Sequence, residues 1–275
     1  EEATIRLGHP RRACSTANDP MGLLDDPGAD HLLMGSTSLN EWSGLALVVG
    51  PGGIGRAVAA ELSRRCPQLD VLLAGRRSST DVPIQLDLES DDDLDRLAET
   101  LQRSGQRLRL VFNCSGRLHG EGLHPEKRLA QVERQQLQQQ FSINAMGPIL
   151  LARAVEPLLH RDQQFHFASL SARVGSIGDN RSGGWFGYRA AKAAQNQLMR
   201  SLSIEWARRW PLSTVTLLHP GTTDTPLSKP FQGFVPPEQL FSPERAAEQL
   251  INVLFTQTPE TTGSFLAWDG QFIPW

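Results

Sequence analysis

Tyr188 and Lys192 stand four residues apart in "GYRAAKAAQ", and both residue types are scarce. The chain of 275 residues has one tyrosine, and its only lysines are Lys127, Lys192 and Lys229. On a helix, side chains at i and i+4 share a face about 6 Å apart. A phenol titrates near pH 10, and a neighbouring ammonium lowers that value. Such a pair can exchange a proton with an alcohol or carbonyl oxygen near neutrality. With three lysines in the chain, chance puts one at this offset about one time in a hundred. A surface tyrosine that happens to precede a lysine is therefore the competing reading.

A second constellation lies upstream. "LVVGPGGIGRAVA" spaces Gly50, Gly52 and Gly55 as G-x-G-x-x-G, with Gly53 and Ile54 between the last two. The first glycine permits a tight turn, the second lets backbone approach a phosphate, and the third lets helix and strand pack closely. The helix that follows presents free N–H groups and a positive dipole end to a pyrophosphate. A plain glycine turn is the bland alternative. A P-loop is excluded because no G-K-[ST] follows. After the next apolar run comes "LAGRRSS". Sites for NAD keep an acid there, whereas sites for NADP place arginine. Planar guanidinium groups suit a 2′-phosphate, so Arg76 and Arg77 favour NADP(H) over NAD(H), against simple solvation of two surface arginines. Asp87, beside Leu88 at the end of the following strand, is placed to accept from an adenine amino group.

The elements that must position these residues alternate. Short apolar runs at 45–49, 71–75, 83–88, 108–113, 165–170, 213–219 and 263–268 read as strands buried on both faces. Between them lie helical patterns. One follows the glycine loop with Ile54, Val58 and Leu62 in line, one is "DDDLDRLAETLQR" with acids in its first turn, and one is a long stretch over about 130–158. The next carries Tyr188, with Ala191, Ala194, Leu198 and Leu202 on its buried stripe. The last is "SPERAAEQLINVLF", which opens on a Ser-Pro-Glu start. This alternation predicts an α/β fold: a single Rossmann-like, doubly wound parallel sheet of about seven strands with helices on both faces. Residues 41–275 form that domain. Residues 1–40, rich in Gly, Pro, Asp and Ser, read as a poorly ordered extension.

The bulk numbers remove other classes. A net charge of -3 gives no pull towards nucleic acid or anionic membrane. No apolar run approaches the roughly 18 residues of a membrane helix. Cys14, Cys66 and Cys114 form neither a zinc pattern nor a disulfide framework, which reads as a cytoplasmic, reducing setting. His119, His124 and His219 lack ligand spacing, so no metal is expected.

Together these residues resemble the short-chain dehydrogenase/reductase family from Leu45 to the C-terminus, and within it the C-factor-like carbonyl reductases. "NCSG" (113–116) is similar to the family's N-N-A-G, with Asn113 and Gly116 retained. "FSINAMGP" carries Asn144 in the place of the family's catalytic asparagine, "YRAAK" is the Y-x-x-x-K pair, and "HPGTTDTPL" holds Pro220, Gly221 and Thr225 of the P-G segment. The resemblance implies reversible hydride transfer between NADP(H) and a carbonyl/alcohol pair. Tyr188 would serve as proton donor, Lys192 would tune it and hold the nicotinamide ribose, Asn144 would hold a relay water, and a serine would orient the substrate oxygen. Two positions depart from the pattern. The glycine loop is one residue short, and the family's S-x-x-G, counted back from Gly175, lands on Ala172. Ser171, one position earlier, takes the serine's role if a bulge at the strand end swings it into place; Ser169 and Ser176 are the other candidates. The segment "SKPFQGFVPPEQLF" reads as a lid, with Phe231 and Phe234 as its wall and Trp185 and Phe186 at the mouth, which suits an apolar or aromatic carbonyl; simple packing of the lid is the alternative. The departed serine keeps open a non-catalytic nucleotide-binding sensor or signalling protein. A dehydratase or epimerase on the same fold would need a different acid-base set. The resemblance also implies a homodimer or homotetramer paired through the two long helical stretches.

Overall fold

The structure, a computed structural model, is described over residues 42–275, without the side chain of Phe234. The expected N-terminal extension, with Cys14, lies outside the described residues. Seven strands form one parallel sheet: β1 (Gly44–Val49), β2 (Leu69–Gly75), β3 (Ile84–Gln85), β4 (Leu108–Asn113), β5 (Phe165–Leu170), β6 (Ser213–His219) and β9 (Ser264–Ala267). Their spatial order is β3-β2-β1-β4-β5-β6-β9. Two residues each of β7 (Thr222–Thr223) and β8 (Leu240–Phe241) pair apart from this sheet. The chain runs outward from β1 to β3, then returns to β1's other side with β4. That reversal puts a crevice at the C-terminal ends of β1 and β4, where ligands bind in open α/β sheets.

Both faces of the sheet are covered. Successive strand residues point to opposite faces, and β1 shows the consequence: Leu45, Leu47 and Val49 enter one core, Ala46 and Val48 the other. The first core is closed by α2 (Asp91–Arg103), α4 (Gly147–Val155) and α5 (Phe186–Arg209) through Leu97, Leu151, Met199 and Trp206. The second is closed by α1 (Gly53–Arg65) and α6 (Pro243–Phe255) through Val58, Leu62, Leu250 and Ile251. Helix starts follow the local chemistry. The Ser90 hydroxyl accepts from the Asp93 N–H at the head of α2, and Ser242 accepts from the Arg245 N–H ahead of Pro243 in α6.

Two expectations change. The third strand shrinks from 83–88 to two residues, so Asp87 sits in the turn beyond it, with its N–H bonded to the Asp93 carboxylate. The long helical stretch over 130–158 is broken: α3 (Arg134–Phe141) meets a single π-helical turn, Ser142–Met146, before α4. Pro148 supplies a reason. It has no N–H for the carbonyl four residues back, that of Asn144, and its ring crowds that carbonyl in a regular α-helix. Such single π turns are frequent at functional sites.

The first core depends on Trp206, which is fully buried, lies edge-on to Phe165 and Phe167, and donates its indole N–H to Glu156. Trp206→Ala should lower the unfolding free energy by about 3–5 kcal/mol in a denaturant titration. A loss below about 1 kcal/mol would contradict this packing.

Candidate active site

The glycine loop closes as its spacing requires. Gly50 has φ +90°, and a Cβ there would lie 2.7 Å from the Ser115 nitrogen. Gly55 is packed so closely that a Cβ would overlap the Gly50 carbonyl oxygen. Gly52, by contrast, faces open space, and as N-cap of α1 it brings no side chain to the helix's first N–H groups. An uncapped helix start beside an open glycine is the surface that accepts a phosphate. Gly53 meets the Thr225 methyl across the crevice, and Ile54 packs against the second core. Gly75 stacks on Pro51 of the same loop, which brings Arg76 and Arg77 alongside it. Both arginines are exposed, and among the described residues neither forms an ion pair. Asp87 accepts from the Glu89 N–H, while Leu88 is buried against Gly147.

The loop after β4 is set by Asn113. Its side-chain oxygen accepts from the Ser115 N–H and hydroxyl, and its amide donates to the Ser169 hydroxyl on β5. At Gly116 a Cβ would sit 3.4 Å from Asn144 Oδ1 and 3.8 Å from Lys192 Nζ. The loop, the π turn and α5 therefore converge on one point. Asn144 is fully buried. Both its N–H donors are engaged, by the Arg117 carbonyl and by Gln140, while its oxygen accepts from the Arg117 N–H. On the far side, Gly221, after Pro220, takes φ +74° and packs on Phe241 and Trp268.

Tyr188 and Lys192 lie on one face of α5, with the ammonium 5.9 Å from the phenol ring centre. Lys192 is 3 % exposed and donates to the Leu170 carbonyl and to Gln195 Oε1, each at 2.9 Å. Burial pulls its titration down to about 7. Burial also pushes the Tyr188 phenol above its ordinary range. The pairing rule alone gives the opposite sign for the phenol. In the fold, desolvation outweighs the ammonium, which turns towards the β5 carbonyl rather than the phenol.

The serine-bearing strand end also differs from expectation. No bulge forms: β5 and β6 stay in register to Leu170 and Leu218, and the Ser171 N–H continues the ladder to Leu218. Ser171 thus keeps the same face as Ser169, and its hydroxyl donates to Asn196 at 2.6 Å, one turn beyond Lys192. Ser169 accepts from Asn113 and Gln195, and Ser176 from the Asp179 N–H. Ala172 holds the S-x-x-G position. The glycine of that pattern is needed for Lys192 itself, because a Cβ on Gly175 would come within 2.8 Å of the lysine Cβ.

An aromatic row leads from the segment after the P-G turn to the phenol. His119 lies edge-on to Phe231, Phe231 is 4.8 Å from Trp185, and Trp185 is 6.4 Å from Tyr188. His119 Nε2 also reaches the Pro226 and Leu227 carbonyls just before that segment. The Phe234 side chain, expected in this wall, lies outside the described residues, and Phe186 is exposed.

Reading by spacing missed two residues. Glu126, buried and far from α5 in sequence, accepts from the Gly187 N–H with its carboxylate and from the Trp185 N–H with its carbonyl. It caps the helix that carries Tyr188 from outside that helix, where the dipole favours an anion. Trp185 itself has φ +50°, the one such non-glycine residue described. Gln195 is the other residue missed. Only the "PE" ahead of the long helical stretch hinted at Glu126, and nothing local distinguished Gln195 from core filling.

The class this defines is an α/β protein with a dinucleotide-type glycine loop facing a buried tyrosine–lysine pair. The chain belongs to the short-chain dehydrogenase/reductase family. The family model described as enoyl-(acyl carrier protein) reductase matches residues 51–253. The 1-hydroxy-2-glutathionyl-2-methyl-3-butene dehydrogenase of Rhodococcus sp. (strain AD45) is 33 % identical over 190 residues, 69 % of this chain and 78 % of the relative. Among solved structures, the carbonyl reductase Sniffer of D. melanogaster superposes with TM-score 0.72 at 21 % identity, over 85 % of this chain and all of that one. A short-chain dehydrogenase/reductase from Burkholderia multivorans with bound NADP superposes with TM-score 0.70 at 25 % identity, over 85 % of this chain and 100 % of that one. Among the described residues, no helix is long and apolar enough to cross a membrane.

Glu126→Ala should strip the cap from α5 and cost about 1–3 kcal/mol of stability, read by urea unfolding. Unchanged stability would show that the carboxylate does not hold the helix start.

Proposed function

We propose that this protein is an NADP(H)-dependent oxidoreductase that interconverts a carbonyl and an alcohol. The observation that carries the reading is the buried Tyr188–Lys192 pair on one helix face, beside a glycine loop whose helix start is open. The cofactor fits the residues present: Gly52 leaves open space before uncapped N–H groups, and two exposed arginines stand next to the loop. The bound NADP of the Burkholderia multivorans relative supports the same choice. Arg76 and Arg77 would hold the 2′-phosphate, the α1 start the pyrophosphate, and Thr225 and the Pro220–Gly221 turn would border the nicotinamide amide.

When bound, NADPH supplies the hydride that reaches the carbonyl carbon. The Tyr188 hydroxyl gives its proton to the carbonyl oxygen. Burial keeps that phenol protonated at neutral pH, which suits a proton donor. The Lys192 ammonium stabilises the phenolate left behind, and a proton returns along Lys192 and a water at Asn144. The side-chain N–H groups of Asn144 are spent, so its main-chain carbonyl, which Pro148 leaves without an α-helical donor, is the group to hold that water. Ser171 gives its hydroxyl to Asn196, so we assign it to the placement of β5 against α5, and Ala172 leaves the substrate oxygen to Tyr188. The row from His119 through Phe231 to Trp185 favours apolar or aromatic carbonyl compounds.

A second reading, cofactor binding without turnover, is favoured by one observation: an alanine at the S-x-x-G position. Tyr188→Phe separates the two. In the first reading it lowers turnover of an aromatic aldehyde or ketone panel by at least about 10²-fold, with NADPH affinity nearly unchanged. Full activity in that variant would sink the mechanism.

Arg76→Ala with Arg77→Ala should weaken NADPH by at least about tenfold, since each charged hydrogen bond contributes roughly 1.5–3 kcal/mol. NADH should change little, and equal loss for both, by calorimetry, would mean that the arginines do not read the 2′-phosphate. Because the relay needs the ammonium and Lys192 titrates at about 7, kcat/KM for reduction should fall as pH rises through that value. A profile flat from pH 6 to 9 would contradict the role of the charge.

A further inference from the structure

Lys192 is a buried cation. Among the described residues no carboxylate lies within ion-pair distance of it. It is faced by Tyr188 and Gln195 on its own helix, the Leu170 carbonyl of β5, Gly116 after β4, Asn144 of the π turn, and Gly175. The charged residues on those neighbouring segments are basic: Arg117, Arg173, which pairs with Asp179, and Arg189. A buried ammonium in such surroundings depends on the neutral oxygens that accept from it. There are two, and one belongs to the main chain.

The other is Gln195 Oε1, and its direction is forced. The Ser115 N–H can only donate, so Asn113 must turn its oxygen to Ser115 and its amide to Ser169. The Leu170 carbonyl can only accept, so Gln195 must turn its amide to Leu170 and Ser169, at 3.2 and 2.8 Å. Its oxygen then points at Lys192 Nζ, 2.9 Å away. No exchange of oxygen and nitrogen in either amide preserves these bonds. Gln195 is fully buried, where a polar side chain is kept only if its hydrogen bonds are made.

We infer that Gln195 is the positioning residue of Lys192: its side-chain oxygen holds the ammonium in place, and its amide ties that ammonium through Ser169 and Asn113 to the loop at 113–116 that borders the dinucleotide site. Gln195 touches no reacting atom. It acts through Lys192, so the inference builds on the proposed relay, but it can be tested without turnover.

Three lysines make the test direct. Protein labelled with 13C at lysine Cε gives three resonances, and Lys127 and Lys229 are exposed. In the wild-type chain, the Lys192 resonance should titrate near neutrality. Gln195→Leu removes the acceptor and should lower the Lys192 midpoint by about one pH unit or more. Gln195→Glu places an anion there and should raise it by at least as much. Ser169→Ala, which frees the Gln195 amide, should move the midpoint downward by less, and serves if the leucine variant does not fold. A Lys192 midpoint unchanged in Gln195→Glu and in either other variant would overturn the assignment. No substrate or cofactor enters this measurement, so an inactive protein with shifted midpoints would reject the reductase reading and keep this one.

Discussion

The site is organised around one unfavourable act, the burial of an ammonium group. An isolated charge in a protein interior costs several kcal/mol even after relaxation, and it persists only where oriented dipoles replace water. Lys192 has two such dipoles, the Leu170 carbonyl and the Gln195 side chain. Much of the surrounding structure follows from making room for it and aiming those dipoles. Gly175 and Gly116 lack side chains where Lys192 passes. The β5 strand ends where its last carbonyl meets the ammonium. In the proposed relay, a Lys192 that titrates near neutrality would let a proton move through the pair without a strong base.

The parallel sheet makes that arrangement possible by delivering its parts from distant segments. The loop after β4, the π turn at Asn144, the end of β5 and the start of α5 are separated by dozens of residues, yet all end at the C-terminal edge of the sheet. Each is held there by side-chain hydrogen bonds to other segments. Asn113 shapes its own loop and bonds to β5. Asn144 clamps Arg117 from both sides. Glu126 caps α5 from a loop more than fifty residues earlier. The amide groups of this network are nearly all satisfied, which is what allows it to stay buried and rigid.

Much of this was legible from residue spacing because it rests on local periodicity. All seven strands overlap the mostly apolar runs that predict them, although β3 is cut to two residues, since most positions of a strand covered on both faces are apolar. The glycine loop was legible for a steric reason: no other residue fits at Gly50 or Gly55. The Y-x-x-x-K pair was legible because i and i+4 share a helix face. What spacing could not give is whatever depends on long-range approach. The break in the 130–158 stretch follows from Pro148, which is visible, but its meaning requires Asn144 to meet Arg117. The role of Ser171 turned on strand alternation: without a bulge, its hydroxyl faces Asn196. The phenol's shift has the opposite sign to that expected from a lysine neighbour, because burial is invisible to spacing. Gln195 and Glu126 stayed hidden because their partners lie on other elements.

In the proposed function, the glycine loop and the two arginines beside it form an NADP(H) site that serves the buried pair. Its most direct test is the melting temperature of the intact chain alone, with saturating NADPH and with saturating NADH. A ligand that binds only the folded state raises stability with the logarithm of its concentration over its dissociation constant. At a hundredfold excess over that constant the gain is about 2.7 kcal/mol, several degrees for a domain of this size. The account predicts a rise of that order with NADPH and a much smaller one with NADH. No rise with either would mean that the shortened loop holds no dinucleotide, and the functional reading would fall with it.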